Sequence, residues 1–134
     1  MLFVDTSFWV AVRNRRDEHH TDAATFLRYY ADDHLITTNH VRGETWTFLR
    51  RRVGHAAAVD MLEALDRSPR LRVISVHEDA ETETLRWLHQ HNECEYSFVD
   101  ATSFAVMRSL RVHRALAFDG DFTAAGFQEV RPSL

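Results

Sequence analysis

Four acidic residues stand where a carboxylate could do chemistry. Asp5 follows the apolar run 2–4, and Asp119 follows the apolar run 115–118. Glu44 and Asp100 lie in segments whose apolar residues have helical spacing. If these acids converge, each pair at 4 Å repels by roughly 4 kcal/mol at an effective dielectric of 20. Such a cluster needs shared protons or bound cations.

Carboxylate oxygens favour Mg²⁺ or Mn²⁺ over zinc or copper, and neutral ligands would not hold Mg²⁺ against its hydration. An acidic cluster that holds such an ion is a common apparatus for cleaving phosphodiester bonds. The ion activates water and stabilises charge on the attacking and leaving oxygens. The four acids together therefore predict metal-dependent cleavage of a phosphodiester.

Most of these acids, taken singly, also have a simple structural explanation. Asp5 could be the N-cap of a short helix, and Asp119 belongs to an Asp-Gly turn. A fifth acid, Asp121, stands two residues after Asp119 and could cap the helical turn that follows it. Asp100 stands three residues after Ser97, the spacing of a capping box.

The two hydroxyl residues after Asp5 bear on its role. Thr6 and Ser7 stand at the start of the helix that the apolar residues 8–10 predict. We expect these hydroxyls to cap that helix, because Ser and Thr are good N-caps. Asp5 would then be left free to face a metal.

Glu44 is harder to explain as a solvated surface residue. It lies three residues after Val41 and four before Phe48, so it stands at the edge of an apolar helical stripe. A carboxylate there points toward the protein, and burying it without a partner costs several kcal/mol or raises its pKa. When Glu44 is considered by itself, an ion pair with Arg42, Arg51 or another Arg explains it nearly as well as a metal does.

Strand-like and helix-like patterns alternate along the chain. Strands are predicted over 2–5, 34–37, 71–76, 115–118 and 127–130, and residues 37–39 offer an N-cap for the helix after the second strand. Helical spacing covers 8–10, 23–30, 41–49, 58–65, 79–91 and 97–110. This alternation predicts a three-layer α/β/α fold with a central, mainly parallel sheet of four to five strands. Ligands of such sheets bind beyond the carboxyl ends of the strands, where Asp5 and Asp119 fall.

The composition bounds the class of protein. Only two prolines and four glycines interrupt 134 residues, so residues 1–134 are expected to form one domain. No apolar stretch approaches the roughly 20 residues of a membrane span, and no basic segment precedes an apolar one at the N-terminus. With Cys94 as the single cysteine, a reducing cytoplasm is the expected location.

The charge bears on nucleic acid as a partner. A net charge of −4 argues against a wide electrostatic grip on nucleic acid, although an acidic metal site would lower the net charge and leave basic patches elsewhere. All sixteen basic residues are Arg. A predicted helix ends with Arg50, Arg51 and Arg52. The helix macrodipole, which favours cations at this end, and contact with phosphate explain their presence equally well.

Other reaction classes find no support. The sequence has no GxGxxG, Walker or GxSxG motif and no Cys-His pair. It therefore gives no support for nucleotide binding through those motifs or for hydrolysis by a Ser or Cys nucleophile. The histidines do not form a metal-binding pattern. His40 stands four residues before Glu44 and could face the same cleft, although a polar first-turn role explains it more simply.

Four stretches together resemble a known family. FVDTSFW, VRGETWTFL, YSFVDATSFAVM and ALAFDGDFTAAGF occur in the order and with the spacing of PIN-domain ribonucleases, specifically the VapC-type toxins of toxin–antitoxin pairs. They span almost the whole chain. Each motif is modestly specific, and four in order make the resemblance strong.

The resemblance implies a set of site residues. The acids that it makes catalytic are Asp5, Glu44, Asp100 and Asp119. The acids that it places around Mg²⁺, or Mn²⁺, are Asp5, Asp100 and Asp119, with Asp121 as an accessory ligand. Relatives often carry Thr or Ser where this chain has Ala117, which removes a supporting hydrogen bond.

The resemblance also implies a function. It predicts an endoribonuclease toxin that inhibits translation and growth by cutting structured RNA, with a ribosomal RNA loop favoured over transfer RNA. It implies a VapB-type antitoxin partner and a homodimer. The alternative is a catalytically silent PIN-fold protein that binds RNA or a partner. A Mg²⁺-dependent phosphatase with Asp5 as nucleophile would want a second Asp where Ser7 stands.

Overall fold

The computed structural model describes residues 1–132. Helices and strands alternate along most of the chain, as the sequence pattern predicts. No helix in the described part is long and apolar enough to cross a membrane. The elements are β1 (Leu2–Val4), α1 (Thr6–Arg13), α2 (His20–Tyr29), β2 (Leu35–Thr38), α3 (Asn39–Arg52), α4 (His55–Arg67), β3 (Leu71–Ile74), α5 (Glu78–Gln90), α6 (Phe98–Leu110), β4 (Arg114–Leu116), α7 (Asp121–Ala124) and β5 (Gln128–Glu129).

The five strands form one parallel sheet in the order β3-β2-β1-β4-β5. The first strand is central: Leu2 pairs with Leu35 of β2, and Phe3 pairs with Ala115 of β4. Within residues 1–132 the sheet is flanked by seven helices, which confirms the predicted α/β/α fold with a parallel sheet. The carboxyl ends of the central strands therefore meet at one edge, where a site can form.

The core explains why β1 lies at the centre. All three of its residues, Leu2 to Val4, are fully buried, as expected for a parallel strand covered on both faces. Beside it, the Phe104 ring of α6 packs edge-on against Trp87 of α5 and Phe122 of α7, with centroids 5.2 and 4.9 Å apart. These contacts fix α6, which carries one of the predicted acids, against its neighbours.

Four of the strands end earlier than the sequence indicates, β3 and β5 as well as the two strands that lead to Asp5 and Asp119. β1 stops at Val4 instead of Asp5, and β4 stops at Leu116 instead of Phe118. The Phe118 N–H donates to the Ser7 side-chain oxygen at 3.1 Å, so this amide is not available to a sheet ladder. Asp119 therefore lies in the loop after β4 and not at the end of the strand itself.

Helix α3 begins and ends as its sequence predicts. Thr38 is its N-cap, with Oγ1 accepting from the Val41 N–H at 3.0 Å. The helix ends before Gly54, whose φ of +138° favours glycine and separates α3 from α4. Helix α3 packs against α1, which brings the ends of these two helices together.

Candidate metal centre

Three aspartates from separate parts of the chain come together at the carboxyl edge of the sheet. Asp5 directly follows β1, Asp100 lies in the first turn of α6, and Asp119 lies between β4 and α7. Each offers a carboxylate oxygen, and these three oxygens lie within 4.8 Å of one another. Such spacing suits ligands that share one cation.

Asp5 is itself the N-cap of α1. Its Oδ2 accepts from the Ser7 N–H at 3.1 Å and from the Ser7 hydroxyl at 2.7 Å. The expectation that Thr6 and Ser7 cap this helix in place of Asp5 is therefore wrong. Capping occupies one oxygen only, because Oδ1 of Asp5 is buried and has no hydrogen-bond partner in the described chain. A buried carboxylate oxygen without a hydrogen-bond partner, on a residue that lines an acidic cleft, suits a metal ligand.

Asp100 has both of the roles that the sequence suggests, since it caps a helix and belongs to the acidic cluster. Its backbone N–H donates to Ser97 Oγ at 2.9 Å, and its Oδ2 accepts from the Ser97 N–H at 3.2 Å, which completes a capping box. The residue is buried, yet it contributes to the cluster of oxygens. The capping box fixes the position of this carboxylate.

The electrostatics of the cluster disfavour three ionised acids. Burial raises the pKa of Asp5 to about 8, with the charges of Asp119 and Asp100 adding to the rise and the bonds from Ser7 opposing it. Burial likewise raises the pKa of Asp100 to about 7. The Ser97 N–H opposes that rise, and the charges of Asp119 and Asp121 increase it.

Asp119 is open to solvent, although the surrounding protein partly desolvates its carboxyl group. That desolvation raises its pKa, and the charges of Asp121 and Glu129 add to the effect, while its bond from the Asp121 N–H at 3.1 Å opposes it. A divalent cation among the three aspartates would offset both the desolvation and the mutual repulsion. The residues present therefore fit a hard cation.

Glu44 and Asp121 line the same cleft, which has a volume of about 460 Å³, but both lie outside the three-aspartate cluster. Glu44 is half-buried on α3 and forms no ion pair with Arg42 or Arg51. Asp121 is the first residue of α7, whose N-cap is Gly120. The cleft therefore holds three closely spaced acids and two more along its walls.

Further residues of the cleft were not predicted from the sequence as site residues. Asp17, Glu18 and Glu95 raise the number of acids in its lining to eight, and His19 also lines it. The His19 ring stacks on Phe118, with centroids 4.4 Å apart and planes 3° from parallel. The abrupt change from basic residues at 13, 15 and 16 to acidic residues at 17 and 18 was the signal available for this segment.

Two other residues considered from the sequence, His40 and Ala117, do not line the cleft. The His40 ring stacks against Phe98 with centroids 6.3 Å apart. The simpler interpretation of His40 as a first-turn polar residue fits this position. Ala117 is fully buried and offers no hydroxyl to the site.

Comparisons with known proteins show which family and which proteins the chain is similar to. Residues 2–128 match the family model described as PIN domain. The 23S rRNA-specific endonuclease VapC20 of Mycobacterium tuberculosis, in strains H37Rv and CDC 1551 / Oshkosh, is 54% identical over 98% of this chain and 99% of its own. The crystal structure of Mycobacterium tuberculosis VapC20, described as a sarcin-ricin loop cleaving toxin, has a TM-score of 0.89 and 52% identity. That alignment covers 98% of this chain and all of the other.

Proposed function

This chain belongs to the PIN domain family, and we propose that it is a metal-dependent endoribonuclease toxin that cuts a loop of 23S ribosomal RNA. The observation that carries the proposal is the cluster of Asp5, Asp100 and Asp119, with carboxylate oxygens within 4.8 Å of one another. Cutting that RNA would inhibit translation and growth. We also propose that residues 1–134 act as one domain, since one sheet joins strands from both ends.

The proposed metal ligands are Asp5, Asp100 and Asp119, with Asp121 as an accessory acid. When bound, Mg²⁺ or Mn²⁺ would supply positive charge beside the reacting phosphate and make water easier to ionise. Oδ1 of Asp5 is the oxygen best prepared for this role, because it is buried and accepts no hydrogen bond. The helix caps at Asp5 and Asp100 hold their carboxylates in place before the ion arrives.

Glu44 would orient the attacking water and accept its proton. It faces the cleft from α3, on an element different from those of the three clustered aspartates. Its half-buried side chain has no competing ion pair among residues 1–132. A carboxylate beside, but outside, the metal cluster suits proton transfer better than ion binding.

A loop of ribosomal RNA is the preferred substrate over transfer RNA. The support is the similarity to VapC20, a 23S rRNA-specific endonuclease that is 54% identical to this chain. Unpaired loop nucleotides can also be splayed into a cleft, whereas a paired helix hides its bases in a deep groove. From the same resemblance we propose a VapB-type antitoxin partner and a homodimer. Light scattering of the protein alone and with such an antitoxin would measure both assemblies.

The function is tested with purified protein and two RNAs, an oligonucleotide that carries the sarcin-ricin loop and a transfer RNA. We expect one Mg²⁺-dependent cut in the loop, mapped by 5′-end sequencing, and its loss with EDTA. Asp5→Asn should lower the rate at least about 100-fold while the circular dichroism spectrum stays unchanged. Full cleavage by Asp5→Asn would contradict the proposed mechanism. RNA binding without cleavage or growth arrest by the wild type would favour the silent alternative.

A further inference from the structure

An exposed cluster of arginines lies beyond the far end of α3 from the acids. We call it the arginine patch and define it by four residues that line a concavity of about 360 Å³ together with Asn14 and Val53: Arg13, Arg15, Arg16 and Arg52. We propose that this patch binds the phosphate backbone of the substrate RNA and that a groove along α3 leads the strand from it to the metal centre. This inference rests on the proposed function and names how that site takes hold of its substrate.

The patch forms where two helices end side by side. Arg13 is the last residue of α1, Arg15 and Arg16 follow in the turn, and Arg52 is the last residue of α3. All four side chains are exposed. None has a carboxylate within 4.0 Å in the part of the chain that the structure describes. The patch therefore presents concentrated positive charge to solvent.

Helix macrodipoles do not account for the whole patch. They favour a cation in the last turn of each helix, which suits Arg13 and Arg52. Arg15 and Arg16 lie beyond the end of α1, where the macrodipole effect has fallen off. Four unpaired guanidinium groups repel one another, and a polyanion would relieve that repulsion. Arg is well suited to phosphate because its planar fork can donate two hydrogen bonds.

The patch and the metal cleft are joined through shared walls. Glu44 and Phe48 line the metal cleft and also a second concavity of about 220 Å³. Arg52 lines that second concavity and also the patch. These three residues are spaced four apart on one face of α3, so Glu44 and Arg52 are about 12 Å apart along the helix axis. That length corresponds to three or four stacked nucleotides at roughly 3.4 Å each.

The residues along this path match the chemistry of RNA. Phe48 is 41% exposed, and the Arg52 guanidinium lies 5.0 Å from its ring centroid. An exposed aromatic ring between a cationic patch and a catalytic centre offers a base a stacking surface. Repeating phosphates with π-faced bases would engage both features. A purely acidic peptide would use the arginines alone, so RNA is the occupant that the groove favours.

The test measures binding without cleavage, in protein that carries Asp5→Asn. The probe is a fluorescent RNA oligonucleotide with the sarcin-ricin loop, followed by anisotropy over a range of salt concentrations. The patch variant changes three arginines to Gln: Arg13, Arg15 and Arg16. The control variant makes the same change in net charge at three exposed arginines outside the groove: Arg28, Arg67 and Arg72.

We expect the patch variant to bind about tenfold more weakly at 150 mM salt, and its slope of log K against log salt to be shallower by about 2. The control should stay within about twofold of its parent. Replacing the same three patch residues by Lys should restore the salt slope, because the charge returns. Circular dichroism of each variant confirms that it is folded. Equal slopes for the folded patch and control variants would overturn the proposal.

Two more measurements separate this inference from the proposed function. If wild-type protein cuts the RNA and the patch and control variants have equal KM, the groove proposal fails and the function stands. If wild-type protein does not cut but the patch alone sets the salt slope, the function fails and the groove stands. If patch variants lose binding to a poly-glutamate peptide while their RNA binding is unchanged, the patch is a protein-docking surface and the proposal is wrong.

Discussion

The Ser7 hydroxyl donates to Oδ2 of Asp5 at 2.7 Å and accepts from the Phe118 N–H at 3.1 Å. One side chain thus joins the residue after β1 to the loop that carries Asp119. The link holds two of the three clustered acids in register, although they are 114 positions apart (119 − 5). Neither the helical nor the strand-like spacing of apolar residues in the sequence predicts this contact.

Ser7→Ala should weaken both the fold and the site. The Phe118 N–H loses its acceptor, which costs about 1–3 kcal/mol if no water replaces it. The Asp5 pKa should rise further, since the hydroxyl bond lowers it. Urea unfolding measures the first effect, and a Mg²⁺ titration followed by calorimetry measures the second. Ser7→Thr keeps a hydroxyl and serves as the control. Equal stability and Mg²⁺ affinity in Ser7→Ala and wild type would contradict this role.

Metal-free protein should lose stability as the pH rises from about 4 to 8. The pKa values of Asp5 and Asp100 rise from 3.8 to about 8 and about 7 in the folded state, so the folded chain binds more protons than the unfolded chain in this window. The stabilising contribution is fully present below pH 4 and is lost as these groups ionise. Thermal melts in EDTA from pH 5 to pH 8.5 measure it.

The matched variants for that experiment are Asp5→Asn and Asp100→Asn, which remove one ionisation each and should flatten the decline. Mg²⁺ should raise the melting temperature more at pH 8 than at pH 6, because binding must displace protons from the cluster. A melting temperature of the metal-free protein that rises between pH 5 and pH 8 would show that the buried acids are already ionised at low pH.

Glu44→Gln and Asp119→Asn should separate catalysis from metal binding. Glu44 lies outside the cluster that includes Asp119. Glu44→Gln should therefore lower kcat by about 100-fold or more and leave the Mg²⁺ affinity of free protein within about twofold. Asp119→Asn should weaken Mg²⁺ binding itself. Calorimetry with Mg²⁺ and single-turnover cleavage report the two properties. Equal loss of Mg²⁺ affinity in both variants would make Glu44 a ligand instead.

Phe48→Ala should raise the KM for RNA and leave the fold intact. A base that stacks on an aromatic ring contributes about 1–3 kcal/mol, whereas the cation–π interaction between this ring and Arg52 contributes about 0.5–1 kcal/mol at an exposed site. Phe98→Ala is a matched control, since Phe98 is also 41% exposed but does not line the cleft. Steady-state cleavage of the loop oligonucleotide measures KM. An equal rise in KM for the two variants would contradict the proposal that a base stacks on Phe48.

The sequence predicted the architecture because periodicity and capping are local properties. Helical spacing marked α2 to α6, and the Thr38 cap and the Ser97–Asp100 capping box are as expected. The end of β4 was misplaced by two residues, since the Ser7 hydroxyl oxygen accepts from the Phe118 N–H across a separation of 111 positions. Long-range hydrogen bonds of this kind leave no periodic signal.

The sequence predicted the acids at the centre of the cleft but not the residues at its rim. Asp5, Asp100 and Asp119 follow from strand ends and a helix start, which topology brings together. Asp17 and His19 belong to the turn between α1 and α2, where Asp17 Oδ1 accepts from the His19 N–H at 2.8 Å. That turn has no alternation of apolar residues, and tertiary packing alone places it over the site.

The pairing of Phe3 with Ala115 has a consequence for biosynthesis. These partners lie 112 positions apart (115 − 3), so the central strand waits for one of the last strands to be translated before its second neighbour exists. Parallel contacts of such long range form slowly. Asp119 follows that late strand, so a growing chain carries its first acid long before the cluster closes. The three-aspartate cluster can therefore assemble only after the chain has been synthesised as far as Asp119.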